Sequence, residues 1–451
     1  MSIILIKLVQ FFVSLSLLVM IHEFGHYIAA RIFKIRVEKF YIFFNPWFTP
    51  YKKKIGETEY GVGWLPLGGY VSLSGMIDES MNVEQMKQAP QPWEFRTKPA
   101  WQRLIVMLAG VIMNVLLAMI IYSAILFTWG ETYLHNDNAV HGYAFNEAGK
   151  SLGFEDRDRI LAIDGEPVDD AQQIGYKLLI ADEERTVTVV RERDTMDVVI
   201  PLERLVSMRE SGGYKGMYSP VVQPMIIEKP VSDSAIEAGY MAGDQIIAIG
   251  DKELSSGELI REALAEHKSQ CVDVTVLRYV ADDHGNLSAE HVVLPTKVDD
   301  SGVIGVALQP VAAVKFTHVE YGFFESIPAG ISLAGQEIAS YWNQLKMIVN
   351  PDTKLYKEVG GFLSIGGVFP GTWDWQSFWR ITALISIMLA VMNLLPIPGL
   401  DGGHALFTLW EIITRRKPSD KFMEVMQWIG LAILFALLIY ANGNDIIKLF
   451  N

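Results

Sequence analysis

An almost uninterrupted apolar run, residues 3–21, leads directly into the pentapeptide His22-Glu-Phe-Gly-His26. A run of this length can cross a bilayer as one helix, and helical residues four apart lie on one face. His22 and His26 can therefore bind one Zn²⁺ together, with Glu23 close enough to act as a general base toward water. Ionisable residues at membrane depth are costly and usually mark a functional site. The motif predicts metal-assisted chemistry with water at the edge of a membrane.

Three further apolar segments are long enough to span a bilayer, at residues 104–129, 377–398 and 422–441. The expected fold is a polytopic α-helical membrane protein with four transmembrane helices. Basic residues mark the cytoplasmic side of such proteins. The clusters of basic residues next to the spans all fall on one side of the membrane if both termini lie outside. That side is then the cytoplasm, and the metal motif lies near it. These residues are Arg31, Lys34, Arg36, Lys39, Lys52, Lys53, Lys54, Arg96, Lys98, Arg103, Arg415, Arg416 and Lys417.

The acidic charge of the chain is concentrated in one region. The net charge is −14, whereas residues 131–300 hold 33 acidic and 16 basic side chains, a balance of −17. This region lies between the second and third spans, outside the cytoplasm on the predicted topology. Such a balance argues against nucleic acid as a partner. Cys271 is the single cysteine, so intrachain disulfides are excluded.

A third metal ligand is expected at the end of the third span. The first and third spans run in the same direction, so Asp401 reaches the membrane depth of His22. Two histidines and a carboxylate leave one tetrahedral position for water. His404 is a competing ligand, and an Asp-Gly-Gly turn that only ends the span is the alternative for Asp401.

The segment before Asp401 is expected to be irregular. Pro396 and Pro398 prevent a regular helix there, and irregular backbone at membrane depth must be buried in protein or line a wet cavity. The Asn393 amide could hydrogen-bond an unwound peptide in that cavity, or else join helices within the bundle. Asn393, Pro396 and Pro398 are therefore candidate substrate-binding residues.

Residues 56–75 contain two short β-prone stretches separated by Pro66-Leu67-Gly68-Gly69. This pattern predicts a hairpin, placed as a re-entrant hairpin that dips toward the metal. A helical substrate hides its peptide bonds, and a free strand edge could extend it by β-addition. Gly68 and Gly69 are thus further candidates for substrate binding, and a surface hairpin at the membrane interface is the alternative.

A pattern around Asp158 recurs around Asp244, 86 residues later. The segments 157–165 and 243–251 share an acidic residue followed by alternating isoleucines and a glycine-containing turn. This spacing suits two tandem domains.

The order of these parts resembles the site-2 protease family of intramembrane zinc metalloproteases. The resemblance rests on the pentapeptide, on the stretch 393–401 and on Gly110-x-x-x-Asn114 in the second span. The repeated segments are similar to the Gly-Asp-x-Ile signature of PDZ domains. The RseP-type branch has this order: four spans, paired PDZ domains and Leu-Asp-Gly after the third span. One stretch, residues 41–50, is aromatic where glycines are common in the family.

The resemblance implies Zn²⁺ bound by His22, His26 and Asp401, with Glu23 catalytic. It implies cleavage of single-span membrane proteins, anti-sigma factors or remnant signal peptides, after a first cut outside. The setting would be the bacterial inner membrane, with membrane lipid around the spans and both termini and the PDZ domains extracytoplasmic. A catalytically inactive PDZ-bearing scaffold and a metal-ion transporter are the rivals. The PDZ pair could bind peptides or exclude bulky proteins, and we favour exclusion.

The predicted organisation divides the chain into eight parts. These are a first transmembrane helix with the metal motif (1–30), a cytoplasmic loop with the re-entrant hairpin (31–103), a second transmembrane helix (104–130), PDZ domain 1 (131–215), PDZ domain 2 (216–312), outer amphipathic helices (313–376), a third transmembrane helix with the Asp ligand (377–410), and a fourth transmembrane helix with the C-terminus (411–451).

Overall fold

The structure is a computed structural model that describes residues 3–65, 68–76, 89–139, 142–191, 194–221, 226–254, 257–281, 287–308 and 316–450. The chain forms two compact units. The helical unit comprises Met1–Glu131 and Val319–Asn451, and the β-rich unit comprises Thr132–His318.

The α-helices are α1 (Ile3–Ile32), α2 (Ala100–Trp129), α3 (Glu147–Ser151), α4 (Gln172–Leu179), α5 (Leu202–Glu210), α6 (Asp233–Ala238), α7 (Gly257–Glu266), α8 (Phe323–Val349), α9 (Phe362–Val368), α10 (Trp375–Leu394), α11 (Asp401–Thr414) and α12 (Asp420–Phe450). Short 3₁₀ helices occupy Phe95–Thr97, Asn136–Asn138, Pro351–Thr353 and Leu355–Glu358.

The strands are β1 (Val37–Ile42), β2 (Tyr51–Ile55), β3 (Thr58–Val62), β4 (Tyr70–Leu73), β5 (Glu131–Tyr133), β6 (Tyr143–Phe145), β7 (Arg159–Ile163), β8 (Glu166–Pro167), β9 (Arg185–Arg191), β10 (Asp194–Ile200), β11 (Tyr218–Pro220), β12 (Ile227–Pro230), β13 (Gln245–Ile249), β14 (Lys252–Glu253), β15 (Cys271–Ala281), β16 (Leu287–Lys297), β17 (Val306–Leu308) and β18 (Thr317–Val319).

Among the described residues, four helices are long and apolar enough to cross a membrane, as predicted. They are α1, α2, α10 and most of α12. The first helix continues through the metal motif to Ile32, because no helix-breaking residue follows the apolar run. The first two spans pack closely where Gly25 meets the backbone of Ala109, and a side chain at Gly25 would clash there.

The irregular segment expected before Asp401 is confirmed, because α10 ends at Leu394 and α11 begins at Asp401. The predicted part 377–410 therefore holds the spanning helix α10, this break and part of α11, so Asp401 lies on α11 rather than on the spanning helix itself. Pro396 and Pro398 explain the break, since each lacks an amide hydrogen and cannot continue a helix. The predicted helical region 313–376 contains α8 and α9.

The predicted hairpin between β3 and β4 is wrong. The four strands of the loop form a sheet in the order β2-β3-β1-β4, so β1 separates the two. The third strand pairs with β1 in parallel and with β2 in an antiparallel hairpin, while β4 is antiparallel to β1. Pro66 and Leu67 of the predicted turn lie outside the described residues. The strand β4 therefore forms one edge of the sheet.

The β-rich unit repeats one arrangement twice. Its four-stranded sheets have the orders β10-β9-β7-β8 and β14-β13-β15-β16, each over its own apolar core. In each repeat a buried aspartate receives a two-nitrogen contact from an arginine: Asp158 from Arg191, and Asp244 from Arg278. The pKa of each arginine is raised, first by that hydrogen bond. The first core includes Met217, beyond the predicted boundary at 215, because β11 pairs with β6.

We expect Asp158→Ala to destabilise the first repeat by about 3 kcal/mol, because it leaves the guanidinium of Arg191 without its buried counter-ion. Hydrogen–deuterium exchange of the full chain should then show about 100-fold faster exchange in β9. Glu266→Ala is the control, because it breaks an exposed ion pair with Lys252. Equal exchange rates in β9 of wild type and Asp158→Ala would contradict the expected stabilisation.

Candidate metal centre

The two histidines of the motif face each other on α1. Their Nε2 atoms are 3.2 Å apart, and the side chain of His26 is buried. This arrangement follows from the four-residue spacing, which places both rings on one face of an unbroken helix. The face is the buried one, since Leu18, Gly25 and Ala29 on the same helix are also buried.

The first residue of α11 completes a triangle with these rings. Asp401 Oδ2 lies 3.2 Å from His22 Nε2 and 3.3 Å from His26 Nε2. The segment 395–400 turns between α10 and α11, and Ile397 and Leu400 donate amides to carbonyls within three residues. The turn brings the carboxylate back to the first helix, as the matching depth of the two spans predicts.

The triangle fits a zinc ion. Zinc–ligand bonds of about 2.0–2.1 Å in tetrahedral geometry place the ligand atoms about 3.3 Å apart, which is close to the spacing observed. Asp401 Oδ2 is buried and accepts no hydrogen bond within the described parts of the chain. Lone pairs that point at one another with no proton between them repel, so this arrangement requires a cation. His404 is not among the three residues whose ligand atoms lie within 4.8 Å of one another.

A backbone carbonyl fixes the protonation of His26. Nδ1 of His26 lies 2.8 Å from the carbonyl oxygen of Val106 on α2. A carbonyl only accepts, so Nδ1 carries the hydrogen and the lone pair of Nε2 points into the triangle. Sequence inspection does not identify this contact, because any residue at position 106 would supply the same oxygen.

The second span reaches the triangle through Gly110. A Cβ at Gly110 would lie 2.4 Å from His26 Nε2 and 2.6 Å from His22 Cε1. Only glycine allows α2 to lie this close to both rings. The Gly110-x-x-x-Asn114 motif was noted in the sequence, but its contact with the histidines was not predicted. Asn114 is fully buried, and its backbone carbonyl accepts a hydrogen bond from Ser386 of α10.

The triangle opens onto a cavity of about 120 Å³. Glu23 lines this cavity beside the three proposed ligands, together with strand β4 and residues of α10, α11 and α12. Sequence reasoning missed Met107, Leu400 and Gln427 as lining residues. Met107 and Gln427 come from α2 and α12, and Leu400 comes from the turn before α11, so the three form no local pattern.

The predicted substrate-binding residues are divided between the cavity and its surroundings. Asn393 and Gly69 line the cavity, and Asn393 Nδ2 lies 3.4 Å from His22 Nε2. Gly69 lies close to α1, since a Cβ there would meet Val19 and Glu23. The other three do not line it: Gly68 packs against Phe44, Pro398 against Gly430, and Pro396 is exposed.

Comparison with known proteins gives one consistent result. A family model described as Peptidase family M50 matches residues 10–437. The chain is 27% identical to the regulator of sigma E protease of Haemophilus influenzae, over 98% of both chains. It is 28% identical to a protein of Vibrio cholerae, over 99% of both, and 30% identical to one of Pasteurella multocida, over 98% of both; both names assign them provisionally as zinc metalloproteases.

We expect Gly110→Ala to reduce the metal content of the purified, folded protein well below one ion per chain, because the added methyl group displaces the imidazoles. Elemental analysis measures this content directly. Gly335→Ala in α8 is the matched control, since a Cβ at Gly335 meets nothing within 4 Å. A full complement of metal in Gly110→Ala would show that the close packing at Gly110 is not needed for the site.

Proposed function

This chain belongs to peptidase family M50, and we propose that it is a zinc-dependent endopeptidase that cleaves transmembrane segments of single-span membrane proteins. The observation that carries the proposal is the convergence of Asp401 on His22 and His26, which lie beside Glu23 on a helix long and apolar enough to span a bilayer. Names that assign zinc metalloprotease activity to relatives support zinc as the ion.

The proposed roles follow from the positions of the side chains. Zinc, when bound, supplies a Lewis acid that polarises the scissile carbonyl and acidifies water. His22, His26 and Asp401 hold the ion, and the carbonyl of Val106 keeps the lone pair of His26 directed at it. Glu23 accepts a proton from the attacking water on its carboxylate and passes it to the departing amide nitrogen.

The edge strand β4 is the proposed substrate-binding element. Tyr70, Val71 and Leu73 of β4 line the cavity, and β4 pairs with β1 along one edge only. A substrate segment that unwinds could add to the other edge as a strand, which exposes its peptide bond. We propose that the edge strand β4, rather than a hairpin, is the re-entrant element.

We propose a role for each of the remaining candidate substrate-binding residues, direct for some and indirect for others. The amide of Asn393 can hydrogen-bond the unwound backbone, because it faces the cavity beside His22. Gly69 lets β4 approach Glu23 closely. Gly68, Pro396 and Pro398 act indirectly: Gly68 by shaping the start of β4, and the two prolines by keeping the chain non-helical before Asp401.

Anti-sigma factors are the proposed substrate class, with remnant signal peptides second, both after an earlier cut outside the membrane. The name of the Haemophilus influenzae relative supports the first class. The proposed setting is the bacterial inner membrane, with both termini extracytoplasmic and the site near the cytoplasmic side, as the basic residues indicate. A catalytically inactive scaffold is the rival, but it gives no reason for Glu23 beside a complete ligand set.

The β-rich repeats are proposed to be PDZ-like domains that exclude bulky proteins rather than bind peptides. In the first repeat the space between β11 and α4 is closed by Tyr218. Its hydroxyl donates to the Ala171 carbonyl at 2.7 Å and accepts from the Gly175 amide at 3.1 Å. In a regular helix the carbonyl of Ala171 would accept a hydrogen bond from the amide of Gly175, four residues later. Here the hydroxyl of Tyr218 bonds to both groups instead. A peptide added beside β11 would have to break both bonds.

Glu23→Gln should lower kcat by at least about 1000-fold, because the amide cannot accept the proton. Its zinc content should stay near one per chain, since Glu23 is not a ligand. The assay is cleavage of a single-span substrate by the full chain in detergent or nanodiscs. Glu424→Gln, on α12 and outside the set of cavity-lining residues, is the control. Wild-type turnover by Glu23→Gln would exclude the proposed mechanism.

Deletion of residues 136–310 tests exclusion by size. The helical unit contains every proposed ligand, so the shortened chain should keep its zinc and still cut a trimmed substrate. It should also cut a substrate that retains its folded ectodomain, which the full chain rejects. Continued rejection of the long form would refute size exclusion, and loss of trimmed-substrate cleavage would favour peptide docking.

A further inference from the structure

Three aromatic rings form a stacked cluster on the small sheet of the helical unit. Trp64 lies between Trp47 and Phe48, with ring centroids 5.9 and 5.7 Å away and interplanar angles of 19° and 3°. Trp47 is 90% exposed, Phe48 57% and the nearby Tyr51 61%. We call these four residues the aromatic patch. Exposed large rings grouped in this way mark an interaction surface.

The backbone holds this patch in a fixed form. The indole of Trp64 donates to the Pro46 carbonyl at 2.8 Å, and Asn45 is hydrogen-bonded to both Thr49 and Tyr70. Trp47 has φ +69°, in the left-handed region that residues with side chains rarely adopt. A strained residue that presents a fully exposed ring is costly for stability, so the exposure points to a function.

The patch lies at the end of the sheet that is nearer to the middle of α1. It occupies the end at which β1 and β3 finish and β2 and β4 begin. Gly69 at this end lies close to Val19 of α1, one turn from Glu23 toward the middle of that helix. At the opposite end Glu57 is paired with Arg36, beyond the end of α1.

Three consecutive lysines follow the patch along β2. Lys52, Lys53 and Lys54 are all exposed, and a strand advances about 3.3 Å per residue. They therefore extend over about 10 Å away from the rings, which is enough to cross a headgroup layer of about 5–7 Å. The region 31–64 holds seven basic and three acidic side chains, a balance of +4.

The positive charge of the lysines also acts on Glu59, on the neighbouring strand β3. Its pKa is lowered, first by a hydrogen bond from Tyr41 and then by Lys52, Lys39 and Lys54. Aromatic rings with adjacent lysines are the combination that binds the interface of an anionic membrane.

We propose that the aromatic patch inserts into the cytoplasmic leaflet and that Lys52, Lys53 and Lys54 bind the phosphates of anionic phospholipids there. This surface anchors the sheet whose opposite edge, β4, borders the cavity. The inference rests on the membrane-spanning helices and holds whether or not the chain is a peptidase.

Site-directed spin labelling of the full chain in nanodiscs of phosphatidylcholine and phosphatidylglycerol tests the insertion. Cys271→Ser provides the background, and Phe48→Cys carries the label while both tryptophans remain. The label should be accessible to oxygen and shielded from a water-soluble nickel chelate, as in the acyl region. Tyr279→Cys, in the β-rich unit and 56% exposed, is the matched control and should show the reverse. A water-accessible Phe48 label would overturn the proposal.

Lipid selectivity tests the lysines. Native mass spectrometry of the full chain should show phosphatidylglycerol retained over phosphatidylcholine, and Lys52→Gln/Lys53→Gln/Lys54→Gln should reduce that preference at least about tenfold, since each lysine near an anionic surface contributes about fivefold. Lys150→Gln/Lys215→Gln/Lys252→Gln is the charge-matched control and should change nothing. An unchanged preference in the first triple variant refutes lipid binding. Shielding of the Phe48 label only on addition of a substrate peptide, or spin–spin coupling between copies, would assign the patch to another partner.

Discussion

The convergence of two imidazole nitrogens and one carboxylate oxygen is the constraint on which the helical unit depends. Three lone-pair donors within 3.3 Å of one another repel unless a cation lies between them. The chain brings them together from α1 and the start of α11, and Asp401 follows His26 by 375 residues in sequence. The proposed zinc ion is therefore a structural link between two membrane segments as well as a reagent.

The second span makes this convergence possible. Val106 orients one ring through its carbonyl, and Gly110 leaves room for both rings one turn later. Apolar packing alone cannot position helices this precisely in a lipid environment, where tails are as apolar as side chains. Close backbone approach at Gly25 and Gly110 supplies the needed contact. The proposed metal centre thus lies on helices, with the edge strand β4 beside it.

Much of this arrangement is predictable from the sequence, because its signals are local or set by membrane depth. Hydropathy gives the four spans, helical spacing gives His22 with His26, and the shared direction of two spans brings Asp401 to them. The predicted pairing of β3 with β4 in a hairpin was wrong, because the order of β-prone segments along the chain does not determine which strands pair. The break between α10 and α11 was predicted from Pro396 and Pro398, since proline cannot continue a helix. Val106 and Tyr218 act through a backbone oxygen and a single hydroxyl, for which no sequence pattern exists.

The central claim is that His22, His26 and Asp401 together hold one zinc ion. Zinc K-edge X-ray absorption of the purified full chain tests it most directly. We predict a shell of nitrogen and oxygen atoms at about 2.0–2.1 Å with multiple scattering from two imidazoles and no sulfur, reduced to one imidazole in His26→Ala. A spectrum with three imidazoles, or one unchanged by His26→Ala, would contradict the account.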